Sequence, residues 1–210
     1  MSAEPPRPSP AYLAVGALGL PILRLLYRER VAGREHLPPR GGYVLASNHL
    51  SSFDPWPIGI PLFPRRFLRF MAKSELFWFP LGALLTACGA FRVRRGETDR
   101  EAMATAVRLC REGHVVVMFP EGTRRQKGLR KKHEARWRSG AARIALEADV
   151  PLVPAAVAGT DALLRLERIR VAYGPPVDLR DLAGQPFGSA AAIATERLRA
   201  AVEALEASLE

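Results

Sequence analysis

Short apolar runs of strand length, separated by segments with helical periodicity, restrict the fold more than any other feature of the sequence. Four runs are rich in apolar and β-branched residues: 43–47, 114–119, 152–157 and 169–173. Three segments have helical periodicity: 98–112, 139–148 and 190–209. Strands that alternate with helices are typical of α/β proteins with a buried sheet. We therefore predict an α/β fold: a single domain with a mixed, largely parallel central sheet flanked by helices.

Length and composition fit one such domain. The chain has 210 residues, of which 48% are hydrophobic and 25% charged, which is a globular composition. This length allows one full core and leaves no room for a second large domain. Only four His and two Cys are present, so we expect neither a disulfide framework nor a cysteine-built zinc site. We predict no resident cofactor and no metal.

The positive charge is concentrated in the middle of the chain. The net charge is +10, and residues 92–138 alone hold 14 basic and 6 acidic residues. Such a segment indicates an anionic partner. Its basic stretch at 124–138 has no interleaved aromatic residue besides Trp137, which favours phosphate groups or an anionic membrane surface over nucleic acid. We predict no nucleic-acid partner. A non-catalytic basic module that binds membranes or nucleic acid is the alternative that charge alone would support.

The first thirty residues differ from the rest. Residues 1–10 are Pro-rich and predicted to be disordered, and residues 11–27 are apolar. The apolar run is shorter than the ~20 residues of a spanning helix and is interrupted by Pro21 and Arg24. We expect either a membrane-associating interfacial helix or a helix packed on the protein's own core. In the first case these leucines would face lipid: Leu13, Leu20, Leu23, Leu25 and Leu26. We assign residues 1–30 to this segment and 31–210 to the main domain.

A first candidate site follows the run at 43–47, where residues 48–54 are Asn-His-Leu-Ser-Ser-Phe-Asp. His49 and Asp54 share neither a helix face nor a strand face, so they can meet only if the chain turns between them. A carboxylate that accepts from one imidazole nitrogen makes the other nitrogen a general base. The alternative is a His in a loop followed by an Asp that caps the next helix.

Two further segments carry candidate binding residues. The run at 114–119 ends at Pro120 and is followed by a carboxylate, a glycine, a hydroxyl and a basic side chain: Glu121, Gly122, Thr123 and Arg124. Ligands bind at the carboxyl ends of strands in open α/β sheets, and arginine suits phosphate. Residues 89–95 alternate apolar and basic residues and end at Arg95, which predicts a strand with one polar face or an edge strand.

In order and spacing these segments resemble the glycerolipid acyltransferase family, in particular the 1-acyl-sn-glycerol-3-phosphate (lysophosphatidic acid) acyltransferases. Residues 48–54 resemble the N-H-x-S-x-x-D signature of the family, and residues 119–124 are similar to its third motif at every position. Residues 89–95 and 150–154 resemble its second and fourth motifs. A metal-dependent hydrolase is a weaker alternative, since the His residues show no ligand spacing such as H-E-x-x-H.

The resemblance implies a reaction and a set of roles. His49 would be the general base, oriented by Asp54. The fatty acyl group would pass from acyl-CoA or an acyl-carrier protein to the sn-2 hydroxyl of 1-acyl-glycerol-3-phosphate to give phosphatidic acid. Arg95 and Arg124 would hold the acceptor's phosphate, while Glu121, Gly122 and Thr123 would shape its pocket. Candidates for the acyl-chain tunnel are residues 56–60 and 76–81, whose alternative is simple core or membrane-facing surface.

The resemblance also implies a location. With a lysophospholipid acceptor and an anionic membrane surface as partners, we expect a bacterial protein on the cytoplasmic face of the membrane, peripheral or monotopic. The His/Asp pair reports acyl transfer and does not identify the acceptor. Another lyso-lipid or a glycolipid as acceptor is therefore the alternative.

Overall fold

The computed structural model describes residues 7–93, 99–122, 126–127, 130–132 and 137–210. The helices are α1 (Pro10–Pro21), α2 (Pro55–Gly59), α3 (Leu81–Ala87), α4 (Arg100–Arg111), α5 (Gly140–Ala148) and α6 (Phe187–Ser208). The strands are β1 (Arg30–Ala32), β2 (Tyr43–Ser47), β3 (Leu68–Lys73), β4 (Ala90–Val93), β5 (Val115–Met118), β6 (Gln126–Lys127), β7 (Arg130–Lys132), β8 (Leu152–Ala158) and β9 (Arg170–Tyr173). A π-helical turn (Ile22–Leu26) and five short 3-10 turns complete the described elements.

Seven strands form the central sheet, in the order β1-β9-β8-β2-β5-β3-β4. The pairs β8–β2, β2–β5, β5–β3 and β3–β4 are parallel, β8 and β9 are antiparallel, and β9 and β1 are parallel to each other. The predicted α/β class and the mixed, largely parallel sheet are confirmed. Strand β4 lies at one edge, as expected for the alternating segment at residues 89–95. Strands β6 and β7 pair as a separate hairpin.

Helices cover both faces of the sheet, so its central strands are buried on both sides. Every residue of β2 is buried, and its side chains alternate between two apolar clusters. Val44 and Ala46 pack with residues of α4, α5 and α6, whereas Tyr43 and Leu45 pack with residues of α2 and the N-terminal segment. A strand that is predominantly apolar up to its last residue, Ser47, suits this position between two helical layers.

The three predicted helices are present as α4, α5 and α6. Ser139 occupies the N-cap position of α5, but its side chain makes no capping hydrogen bond. On α6 the apolar side chain of Ile193 is 37% exposed and does not belong to the buried face. The buried stripe runs instead through Ala190 and Ala194 to Leu198, at i, i+4 spacing. Ile193 lies about 100° from its neighbour Ala194 and faces away from the stripe.

The N-terminal segment is part buried and part exposed. Leu23, in the π-helical turn, is fully buried and packs in the cluster that holds Tyr43 and Ile58. The expectation that Leu23 faces lipid is therefore wrong, since this turn anchors the segment to the core. Leu18 and Leu25 are 71% and 79% exposed. In the part of the chain that the structure describes, no helix is both long and apolar enough to cross a membrane.

Candidate active site

The candidate site lies at the carboxyl ends of three adjacent parallel strands. The segment at 48–54 follows β2, the turn at 119–122 follows β5, and Gly159 and Thr160 follow β8. Strand β2 is hydrogen-bonded to β5 on one side and to β8 on the other. Three segments that are far apart in sequence therefore leave the sheet side by side. This edge of an open α/β sheet is where ligands bind.

His49 and Asp54 meet, as the sequence requires for a catalytic pair. His49 Nδ1 lies 2.8 Å from Asp54 Oδ2. The chain turns between the two residues, with Asp54 N–H donating to the Ser51 carbonyl at 3.2 Å and Phe53 N–H donating to the Ser51 hydroxyl at 3.3 Å. Serine hydroxyls commonly stabilise such local turns. Asp54 is fully buried and His49 is 7% exposed.

The Asp54 carboxylate receives four donors. Its Oδ2 accepts from His49 Nδ1 and from the backbone N–H groups of Leu50 and Ser51, at 2.8 and 2.9 Å. Its Oδ1 accepts from the Thr160 hydroxyl at 2.5 Å. These bonds offset the cost of burying a charge. Asp54 occupies the N-cap position of α2, but its side chain makes no capping bond there, so the alternative of a helix-capping Asp is wrong.

The imidazole of His49 is fixed in orientation. Because the Asp54 carboxylate accepts at Nδ1, that nitrogen carries the proton and Nε2 presents its lone pair. Among the described residues no hydrogen-bond partner contacts Nε2. The ring stacks on Phe119, with 4.2 Å between the centroids and 20° between the planes. The end of β5 thus holds the ring from one side, so that two sequence motifs form one site.

Asn48 ties the site to the sheet and to α6. Its Oδ1 accepts from Val157 N–H at 2.9 Å, and its Nδ2 donates to the Val157 carbonyl at 2.9 Å. The same Nδ2 donates to Glu206 Oε1 at 2.8 Å. Asn48 is buried, and both polar groups of Val157 are used. The residue before His49 is therefore locked to the end of β8.

The turn after β5 contains two of the predicted binding residues. Glu121 is buried, and Gly122 adopts φ +69° while its N–H donates to the Phe119 carbonyl at 3.0 Å. A Cβ at position 122 would lie 2.8 Å from Arg138 Nε, so the guanidinium of Arg138 lies against the glycine. Only glycine adopts this conformation without strain. The exposed Arg138 therefore lies beside the turn, although it was not among the predicted site residues.

Three of the predicted binding residues lie outside the part of the chain that the structure describes. These are Arg95, Thr123 and Arg124, so their predicted contacts with phosphate stay predictions. Of the tunnel candidates, Ile58 and Ile60 belong to the core, and the segment at 76–81 is largely exposed, with Phe79 86% exposed. Among the described residues, no group of three or more His, Cys, Asp or Glu side chains could hold a metal ion.

Sequence reasoning missed Thr160 as part of the site. The signal was present, because Gly159 and Thr160 directly follow a buried strand, as the turn at 119–122 follows β5. The backbone donors of Leu50 and Ser51 were missed as well, and no residue type marks them. Their role depends on the path of the turn and not on the side chains.

Comparison with known proteins extends these observations. The Acyltransferase family matches residues 28–158. The chain is 32% identical to the 1-acyl-sn-glycerol-3-phosphate acyltransferase of Bacillus subtilis (strain 168), over 90% of this chain and 94% of the relative. It is 30% identical to the protein of the same name from Streptococcus pneumoniae, over 67% of this chain and 52% of the relative. The fold is similar to that of the solved 1-acyl-sn-glycerophosphate (LPA) acyltransferase from Thermotoga maritima, with a TM-score of 0.68, 21% identity, and coverage of 92% and 79% of the two chains.

Proposed function

Because the chain belongs to the Acyltransferase family, we propose that it transfers a fatty acyl group to the sn-2 hydroxyl of 1-acyl-glycerol-3-phosphate. The product is phosphatidic acid. The observation that carries the proposal is the buried His49–Asp54 pair, 2.8 Å apart at the carboxyl end of β2. The names of the relatives support lysophosphatidic acid as the acceptor.

In the proposed reaction, His49 is the general base. Its Nε2 removes the proton from the acceptor hydroxyl as the oxygen attacks the thioester carbonyl of acyl-CoA or of an acyl-carrier protein. The carbon–sulfur bond then breaks, and the proton on the imidazolium passes to the leaving thiolate. The negative Asp54 carboxylate stabilises the imidazolium that exists between these steps. No serine or cysteine nucleophile takes part, so no acyl-enzyme forms.

The acceptor phosphate is proposed to bind beside the turn at 119–122. Arg95 and Arg124 are its proposed partners, with Glu121, Gly122 and Thr123 shaping the pocket. The net charge of +8 in residues 92–138 supports an acceptor and a donor that both carry phosphate. A glycolipid or a different lyso-lipid is the second candidate acceptor, because His49 and Asp54 act on the hydroxyl and leave the rest of the acceptor unspecified.

The test of the reaction is release of CoA from acyl-CoA in the presence of lysophosphatidic acid. We expect His49→Ala to lower kcat by about 10²-fold or more, the usual effect of removing a general base. His36→Ala is the matched control, because this His lies in the 3-10 turn Arg34–His36, away from the site. Turnover by His49→Ala equal to that of the control would refute the mechanism.

The acceptor is tested separately with a panel of lyso-lipids. If phosphate recognition is correct, Arg124→Ala and Arg95→Ala each raise the KM for lysophosphatidic acid, and the wild type prefers it to uncharged glycolipids. A KM that neither variant changes would favour the second candidate acceptor. The same panel, run with acyl-CoA and with an acylated carrier protein, identifies the donor.

We further propose that the N-terminal segment rests on an anionic membrane surface. Leu18, Leu25 and Phe79 are strongly exposed apolar side chains. Helix α1 begins beside α3, because the Ser9 hydroxyl donates to the Ala87 carbonyl. The exposed Leu18 of α1 and the exposed Trp78 and Phe79 before α3 therefore belong to neighbouring elements. An exposed apolar area next to basic residues is typical of a protein that binds a bilayer surface.

Co-sedimentation with vesicles tests this surface. The double variant Leu18→Ser, Leu25→Ser is expected to bind vesicles that contain phosphatidylglycerol at least about tenfold more weakly, since each leucine withdrawn from lipid costs roughly 1.5–3 kcal/mol. Leu164→Ser is the matched control, because Leu164 is fully exposed outside this segment. Equal losses in both proteins would contradict the assignment.

A further inference from the structure

We propose that Thr160 is a positioning residue that sets the plane of the Asp54 carboxylate and thereby the orientation of His49. The proposal rests on the proposed acyl transfer by His49. Thr160 is buried, with 1% of its surface exposed, and its hydroxyl donates to Asp54 Oδ1 at 2.5 Å. In the described part of the chain no hydrogen bond joins Thr160 to His49. Its effect would therefore pass through Asp54.

The two carboxylate oxygens of Asp54 accept hydrogen bonds from different parts of the chain. The three donors on Oδ2 all belong to residues 49–51, within five positions of Asp54. The single side-chain donor on Oδ1 comes from a residue 106 positions away, at the end of another strand. Rotation about the last torsion of an Asp side chain is soft, so donors on one oxygen leave the plane of the carboxylate weakly defined. A donor on the second oxygen defines it.

The fold fixes where this second donor lies. Strand β8 runs parallel to β2, with Ser47 opposite Ala155, so both chains leave the sheet at the same edge. Gly159 then adopts φ +85°, and a Cβ there would lie 2.5 Å from the Arg168 carbonyl oxygen. This turn places Thr160 at the start of the 3-10 turn Thr160–Arg165. The pairing of β8 with β2 therefore fixes the position of the Thr160 hydroxyl.

Asn48 connects the two sides of this arrangement. Asn48 directly precedes His49, and Val157 lies three residues before Thr160. The Asn48 side chain makes hydrogen bonds of 2.9 Å to both the N–H and the carbonyl of Val157. The imidazole, the carboxylate and the threonine hydroxyl therefore belong to one rigid unit built across β2 and β8. A base held in this way keeps its lone pair aimed at one point, which is what an efficient proton transfer requires.

The chemical consequence is a change in kcat and not in substrate binding. In a Thr160→Val protein the shape at position 160 is nearly kept, while Asp54 Oδ1 loses its donor. A hydrogen bond to a charged group is worth enough to change a rate by about tenfold or more. The carboxylate then adopts several orientations, and the imidazole is less often aligned. Because Thr160 is buried, we expect neither acceptor nor donor to touch it and their KM values to stay unchanged.

The experiment compares Thr160→Val, Thr160→Ser and a buried control, Thr195→Val. Thr195 is a buried threonine in α6 whose hydroxyl donates to the Ala191 carbonyl at 2.6 Å. We expect Thr160→Val to lower kcat about tenfold with KM within about twofold, Thr160→Ser to restore most of the loss, and the control to match wild type. In an Asp54→Asn background, Thr160→Val should lower kcat no further. Loss in Thr160→Ser equal to that in Thr160→Val, or a loss confined to KM, would overturn the proposal.

A second readout separates this proposal from the proposed function. The Nδ1–H proton of His49 gives a downfield NMR signal when it is held by Asp54, whether or not the acceptor has been identified correctly. We expect this signal to shift or broaden in Thr160→Val, to return in Thr160→Ser, and to be unchanged in the control. An unchanged signal in a folded Thr160→Val protein would overturn the positioning role. Absence of acyl transfer in the wild type would instead overturn the proposed function alone.

Discussion

Two carboxylates, one fully buried and one partly buried, have opposite hydrogen-bonding environments in this protein. Asp54, at the carboxyl end of β2, receives donors on both oxygens. Glu29 lies between the π-helical turn and β1, and in the described part of the chain its buried Oε1 has no hydrogen-bond partner. Burial raises the pKa of Glu29 to about 7, although the positive charges of Arg24 and Arg34 act in the opposite direction.

The difference teaches that burial alone does not make a catalytic carboxylate. Asp54 is held because a turn presents backbone N–H groups and a neighbouring strand presents Thr160. The positive charges of Arg24 and Arg34 act on the pKa of Glu29 only through space. A carboxylate with directed donors keeps one position, whereas a carboxylate without them is free to take up a proton. The source of the donors therefore distinguishes the site from the N-terminal junction.

The largest expected effect comes from removing the charge of Asp54. Asp54→Asn keeps the shape, but the neutral amide no longer stabilises an imidazolium, and its NH2 group replaces one acceptor oxygen. We expect kcat to fall by about 10²-fold or more. The exposed Asp161 gives a matched control, Asp161→Asn, with kcat unchanged. Turnover of Asp54→Asn within a few fold of wild type would show that the pair has no catalytic role.

A smaller effect is expected from removing the Asn48 side chain, which would weaken the hydrogen-bonded network around Asp54. Glu29 has no comparable network in the described part of the chain. In Asn48→Ala the N–H and carbonyl of Val157 lose their partners. Buried polar groups without partners cost about 1–3 kcal/mol each, so the free energy of unfolding should fall by at least about 2 kcal/mol. Urea denaturation measures this change. Gln185→Ala, which removes an exposed hydrogen bond, should change the free energy far less. Equal changes would mean that Asn48 is not part of a rigid unit.

Much of the sheet and the meeting of His49 with Asp54 can be predicted from local sequence patterns. The apolar runs at 43–47 and 152–157 predict β2 and β8 because each is predominantly apolar and long enough for a strand. The meeting of His49 and Asp54 also depends on local chemistry, since Ser51 closes the turn between them. Such features can be predicted from the sequence because the interactions that produce them join residues only a few positions apart.

The rest depends on contacts between distant segments. Thr160 is 106 residues from Asp54, and only the parallel pairing of β2 with β8 brings them together. Leu23 is indistinguishable in sequence from its exposed neighbour Leu25, and only the π-helical turn directs one to the core and the other outward. Such features need the assembled sheet, because the partner that decides them is nowhere near in the chain.

The smallest expected effect concerns Glu29 and depends on pH. A carboxyl group whose pKa is raised from 4.5 to about 7 in the folded protein binds more protons folded than unfolded between these values. Its contribution to stability is therefore fully present below about pH 4.5 and is lost as the pH rises through about 7. Glu29→Gln removes the charge, so its Tm at about pH 8 should exceed that of wild type by roughly 2–4 °C, with no gain at low pH.

The matched control for this prediction is Glu35→Gln, because Glu35 is an exposed neighbour and its replacement should leave the pH dependence of Tm unchanged. Tyr173 also faces Glu29, and its phenol stays neutral in this range because burial raises its pKa well above the usual value. Parallel Tm curves for wild type and Glu29→Gln between about pH 5 and 8 would mean that Glu29 has donors after all. Asp54→Asn should give no such gain in Tm at high pH, because both carboxylate oxygens of Asp54 already accept hydrogen bonds.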